Sequence, residues 1–242
     1  AVSSSGFHGT MVVSSGVASA NNAKAKDAAY TLDEGDEKVQ VAPWPFPPEH
    51  GDTPEFQYDP HVWTSPANAA IQVHNIGAAL TDKQPVLKPY VTEYENRLTK
   101  LDDWARQSLE SVPKDSRVLF TSHDAFGYFS HNYDVTFIGA ALSDFNEQQD
   151  ATAEHIRAAA DEVKKSGAKA LFAENSNNSK SIEAIAQAAG VKAIVGDDAL
   201  YGDSLGPQGS PGETYVGSIV HNVSTLVDAW GGTPAELPAD LH

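Results

Sequence analysis

In the second half of the chain, short unbroken apolar runs alternate with stretches of helical periodicity. Arg117-Val118-Leu119-Phe120-Thr121, Val135-Thr136-Phe137-Ile138-Gly139, Lys169-Ala170-Leu171-Phe172-Ala173 and Ala193-Ile194-Val195 are too short for helices and rich in β-branched or aromatic residues. Each predicts a buried strand. Helices are predicted from about Ala151 to Lys165, stopped by Gly167, and from Ile182 to Ala189, closed by Gly190. A last helix, about Glu213 to Trp230, follows a Gly/Pro-rich loop from Gly202 to Gly212. Strand and helix in turn predict an α/β fold, a mostly parallel sheet with helices on both faces.

The first half is less regular. Val12-Val13 reads as the centre of a short strand, and Lys38-Val39-Gln40-Val41 alternates as a strand does. Between them Ala18 to Ala29 suits either a helix or loose chain. Ala42-Pro43-Trp44-Pro45-Phe46-Pro47-Pro48 enforces an extended path, because proline removes the backbone donor and fixes φ. Glu49 to Thr53 then reads as a polar loop. Pro66 suits a first helical position, and Ala67, Ala70, Ile71 and Ala78 supply a stripe for a helix reaching about Leu80. Tyr90, Tyr94, Leu98, Leu101, Ala105 and Leu109 recur at steps of three or four, predicting a long helix over 86–109.

Composition narrows the function classes. The net charge is −17, from 33 acidic against 16 basic residues, with no cluster of Lys and Arg. Nucleic acid is thereby excluded as a partner, since a phosphate backbone demands such clusters. There are no cysteines, so disulfides and thiolate sites are excluded and any metal must be held by nitrogen and oxygen. No run of 18 apolar residues predicts a membrane span. The opening Ala1-Val2-Ser3-Ser4-Ser5-Gly6 lacks the basic and apolar regions of an intact signal peptide, and a signal already removed would look the same.

Three segments carry donor-grade chemistry: Asp59-Pro60-His61-Val62-Trp63, Ser122-His123-Asp124-Ala125-Phe126-Gly127-Tyr128-Phe129 and Tyr201-Gly202-Asp203-Ser204-Leu205. Ligands of α/β sheets bind beyond the carboxyl ends of strands, where His123 and Asp203 fall. Two imidazoles and a carboxylate suit a borderline divalent ion, zinc or manganese. Glu174, after the third strand, suits orientation of a ligand imidazole better than direct ligation. Asp124 reads as structural. His74, His131, His155 and His221 read as surface or packing residues, and Phe126, Tyr128 and Phe129 as aromatics anchoring the turn of His123. Neither Ser122 nor Ser204 lies in a Gly-x-Ser-x-Gly elbow.

Together with Leu171-Phe172-Ala173-Glu174-Asn175-Ser176, Gly212-Glu213-Thr214-Tyr215-Val216 and His221-Asn222, these segments resemble the substrate-binding proteins of bacterial ABC importers for zinc and manganese. The resemblance runs from Asp59 to the final helix. It implies two α/β lobes joined by one long rigid helix, with the ion in the cleft between them. On that pattern residues 1–85 belong to the N-terminal lobe, 86–112 to the linking helix and 113–242 to the C-terminal lobe. The implied metal ligands are His61, His123 and Asp203, and the implied cargo is Zn2+, with Mn2+ as the alternative. Histidine at position 123 leans towards zinc. A monomer outside the cytoplasm, in the periplasm or at the cell surface, is implied, with an ABC permease as partner and a lipid anchor upstream in many relatives.

One departure stands out. The family's Pro-His-x-Tyr/Phe segment is missing, and the region before Asp59 is short for a whole first lobe. His8 is then the early candidate for a fourth ligand, while His50 fits a solvated acidic loop. Two rival functions share the pattern. A metal-dependent hydrolase would use the same His/His/Asp donors with Glu174 as general base, although no His-Glu-x-x-His helix is present. A surface adhesin would use the same fold. A ligand at the mouth of a cleft also predicts that His123→Ala spares the metal-free fold.

Overall fold

Among the described residues, four short strands, none longer than five residues, form the sheet of the C-terminal unit. The computed structural model describes residues 6–18, 29–43, 57–141 and 152–242, and the chain divides into two units, Ala1–Lys100 and Leu101–His242. In the second, β3 (Val118–Thr121), β4 (Thr136–Ala140), β5 (Ala170–Phe172) and β6 (Lys192–Ile194) pair in the order β4-β3-β5-β6, all parallel. Parallel neighbours require crossovers, supplied by α3 (Gly127–Asn132), α4 (Ala153–Ser166) and α5 (Lys180–Ala189); α6 (Tyr215–Trp230) follows the last strand. The helices α4, α5 and α6 each stop at a glycine in the left-handed region, Gly167, Gly190 and Gly231.

The core of this unit follows from those runs. Val118, Phe120, Leu171 and Ala173 pack with Val163, Ile182 and Ile185 of the covering helices. Trp230 closes the far end of α6: its indole N–H donates to the Val118 carbonyl at 3.1 Å, and its ring meets Phe172 edge-on at 6.2 Å. Arg117 is buried at the entrance to β3, donating to the carbonyls of Val112 and Tyr133, 3.0 Å each. Buried carbonyls without such a donor would cost about 1–3 kcal/mol apiece.

The N-terminal unit contains a two-stranded parallel pair, β1 (Thr10–Val12) with β2 (Thr31–Asp33), and the helix α1 (Pro66–Lys83). Ser65 caps α1 by accepting from the Asn68 N–H, and Pro66 sits at the first helical position. The long helix α2 (Lys88–Glu110) begins in this unit and ends in the next, so the division between the units falls inside a continuous helix. Leu98, Leu101, Ala105 and Leu109 of its stripe are buried, whereas Tyr90 near its start is exposed.

Two expectations for this unit are corrected. Lys38-Val39-Gln40-Val41 is not a strand: Val39 is anchored through its N–H to the Ser15 carbonyl at 2.9 Å without a ladder around it, and the second strand is Thr31–Asp33. The stripe assigned to α1 also lies on the wrong face, because Ala67 and Ala78 are exposed while Ala69, Asn75 and Gly77 are buried. That face holds loops instead of filling a core. Asn75 donates to the carbonyls of Ser14 and Glu37 and accepts from the Glu37 N–H. Gly35, at φ +65°, passes so close that a Cβ there would lie 2.3 Å from Asn75 Oδ1. The expectations for Ala18 to Ala29, the proline-rich run and the loop with His50 fall almost wholly outside the described residues.

Candidate metal centre

Each unit carries one imidazole whose orientation is set by a buried carboxylate. In the N-terminal unit the turn Asp59-Pro60-His61 folds back on itself. Asp59 Oδ1 accepts from the His61 backbone N–H at 2.9 Å and meets the ring Nδ1 at 2.7 Å. One oxygen therefore fixes both the backbone and the ring. With Nδ1–H directed at the carboxylate, the lone pair of the ring lies on Nε2, on the side away from Asp59. Trp63 packs edge-on against the His61 ring, centroids 5.5 Å apart, and Thr64 ties the turn through its hydroxyl to the His61 carbonyl. His61 and Asp59 are both buried.

In the C-terminal unit, chemistry gathers where the carboxyl ends of β3, β5 and β6 lie side by side. His123 follows β3, Glu174 follows β5 and Asp203 follows β6 through the extension Ala199–Tyr201. Thr121 Oγ1 donates to the His123 carbonyl and shapes the turn. Glu174 then grips His123 twice: Oε1 accepts from its backbone N–H at 3.0 Å, and Oε2 lies 2.8 Å from ring Nδ1. Ser122 completes the arrangement by accepting from the Glu174 N–H at 3.1 Å. On the opposite side of the ring, Nε2 lies 2.9 Å from Asp203 Oδ2.

An imidazole between two carboxylates is pulled towards its charged form. Burial works against the charge, but the hydrogen bonds to Asp203 and Glu174 and the nearness of both negative groups outweigh it. The His123 pKa rises from 6.5 to about 10. A divalent cation and this proton therefore compete for one atom, Nε2. The donor set, nitrogen from imidazole and oxygen from carboxylate with no thiolate, fits a borderline ion.

Of the expected ligands, His123 and Asp203 come together within one unit, and His61 is the oriented imidazole of the other. Glu174 acts as expected on the His123 imidazole. Both its oxygens are engaged by His123, so the general base that a hydrolase would need is already committed. The pair is buried, His123 at 6% exposed and Glu174 at 1%. His8 is exposed and precedes β1. Asp124 is buried, as are Phe126, Tyr128 and Phe129 behind the turn. His74 bridges Asp36 and Glu95 at 3.1 and 3.0 Å. His221 packs against Tyr201, and His131 is exposed.

The sequence reading missed Asp59 as the partner of His61, although an acid two residues before a histidine signals such a turn. It quoted Asn175 and Asn222 only as parts of the family segments and gave neither amide a role of its own.

The family model described as zinc-uptake complex component A, periplasmic (ZnuA), matches residues 4–229. The zinc-binding protein TroA of Treponema pallidum is 33% identical over 182 residues, and the manganese-binding lipoprotein MntA of Bacillus subtilis 32% over 179. These alignments take in 72% and 71% of this chain, which spans only 58% of the length of either relative. The structure of periplasmic TroA superposes with a TM-score of 0.64 at 30% identity, covering 74% of this chain and 66% of that one. A cadmium-bound periplasmic metal-binding protein from Candidatus Liberibacter asiaticus shares the fold, with a TM-score of 0.67 at 20% identity over 86% of this chain and 73% of its own. With the family model spanning nearly the whole chain and the motif residues in family order on a shared fold, the protein belongs to the ZnuA family of periplasmic zinc-uptake components.

Proposed function

We propose that the protein captures a divalent transition-metal ion outside the cytoplasm and delivers it to the permease of an ABC importer. Zinc is the leading cargo and manganese the alternative. His61, His123 and Asp203 are the proposed donors, and Asp59 and Glu174 hold the two imidazoles in place. The observation that carries this reading is the Glu174–His123–Asp203 line, which aims one Nε2 at a carboxylate on a strand-end loop. Support also comes from the relatives, named for zinc and manganese binding. Nitrogen at position 123 favours zinc over the harder manganese ion. Capture calls for a closed donor set and no activated water, so the reading assigns no catalysis.

Calorimetric titration of metal-free protein tests it. Zinc is expected to bind with a Kd well below micromolar, and manganese more weakly. Binding of both ions no tighter than micromolar would remove the capture role.

A further inference from the structure

Asp203 is the accessible member of its pair, with 30% of its side chain exposed against 8% for His123. It sits outside regular structure, between β6 and α6. A carboxylate on such a loop is aimed only as well as the chain on either side of it is held. Ahead of it, Asn222 Oδ1 accepts from the Tyr201 N–H and its Nδ2 donates to the Tyr201 carbonyl, 2.8 Å each. One amide thus pairs both backbone groups of a single residue, as a neighbouring strand would. Its neighbour His221 donates Nε2–H to the Ala199 carbonyl at 3.0 Å and packs edge-on against the Tyr201 ring at 4.9 Å. Behind Asp203, Asn175 Nδ2 donates to Ser204 Oγ at 2.9 Å. Between the two lies Gly202, where a Cβ would come 2.4 Å from Glu174 Oε2, so the backbone runs against the carboxylate that orients His123.

Asn222 is 1% exposed, and asparagine is a weak helix former whose amide competes with the backbone. Within α6 a leucine would fill the same space without that cost. Yet both atoms of the amide reach out of the helix to Tyr201. We propose that Asn222 is the positioning residue for Asp203: by clamping Tyr201 it sets where the carboxylate meets the ion and how long the ion is kept. The proposal rests on the reading of Asp203 as a donor.

A double-mutant cycle tests it, with Asn222→Leu made in the wild type and in Asp203→Ala. Zinc affinity is read by competition with a chromogenic chelator, and loss of zinc by stopped-flow mixing with excess chelator. The visible spectrum of the cobalt-loaded protein reports the donor geometry. In the wild type, Asn222→Leu is expected to weaken zinc binding about 10–100-fold, mainly through faster dissociation, and to alter the cobalt bands. In Asp203→Ala it is expected to add almost nothing. If Asp203→Ala weakens binding but Asn222→Leu does not, or if Asn222→Leu costs the same in both backgrounds, the positioning role is overturned. If Asp203→Ala alone leaves zinc affinity unchanged, the donor reading itself fails. Should Asn222→Leu not fold, Asn222→Asp keeps the shape and the acceptor for the Tyr201 N–H. It is expected to retain part of the affinity and to show the same dependence on Asp203.

Discussion

Replacing His123 with alanine is expected to weaken zinc binding on the order of a thousandfold, about 4 kcal/mol, and to destabilise the metal-free protein as well. The first effect follows from removing a donor nitrogen. The second follows from what remains, because Glu174 is fully buried and the His123 ring is its only cationic contact among the described ion pairs. Breaking a buried pair by deleting one partner typically costs about 3–5 kcal/mol. Thermal melts of metal-free protein read the stability, and chelator competition reads the affinity. His123→Ala/Glu174→Gln separates the two, since neutralising the orphaned carboxylate is expected to restore much of the melting temperature and none of the zinc affinity. An unchanged melt in His123→Ala would show that the pair contributes nothing to the fold. Unchanged affinity would take His123 out of the metal site.

Zinc uptake near pH 7.5 is expected to release about one proton from His123. With its pKa raised to about 10, the imidazole is charged in metal-free protein at that pH, and the ion must displace its proton from Nε2. Titrating zinc by calorimetry in buffers of different ionisation enthalpy measures the number released. Apparent affinity should rise about tenfold per pH unit from 6.5 upwards, through the range in which the folded protein holds this proton and free imidazole does not. The linkage to stability runs the other way. A raised folded pKa stabilises metal-free protein fully below pH 6.5, and that contribution is lost as pH climbs through about 10. The same proton therefore supports the empty protein and opposes loading. A buffer-independent enthalpy would mean that His123 is already neutral.

The C-terminal unit was legible because its chemistry is local. Val118-Leu119-Phe120 and Ala170-Leu171-Phe172 are continuous apolar runs with no polar face, as strands covered on both sides must be. The glycines after α4, α5 and α6 mark stops that few other residues tolerate. Its site was legible for a related reason: His123 and Glu174 follow strands directly, and adjacency of β3 and β5 brings them together. In the N-terminal unit the deciding interactions are side chain to backbone and distant in sequence. Asn75 reaches residues 61 and 38 positions away, which no periodicity records. Val39 and Val41 mimic a strand, yet Val39 is held by one backbone hydrogen bond to Ser15, and the strand Thr31-Leu32-Asp33 has only one apolar side chain of its own. Asn222 was hidden in the same way, since its partner Tyr201 is set by tertiary packing.

Trp63 gives the proposed donor of the N-terminal unit, His61, an optical voice. Its indole lies against the His61 ring, so a change in charge or occupancy at that imidazole alters the electric field felt by the chromophore. Trp230, sealed against Phe172 at the C-terminal end of α6, senses the integrity of the C-terminal unit. The chain has four tryptophans. In a variant keeping only Trp63, with phenylalanine at the other three positions, zinc is expected to change the emission without any attached dye, and an unchanged emission on saturation would take His61 out of the metal site.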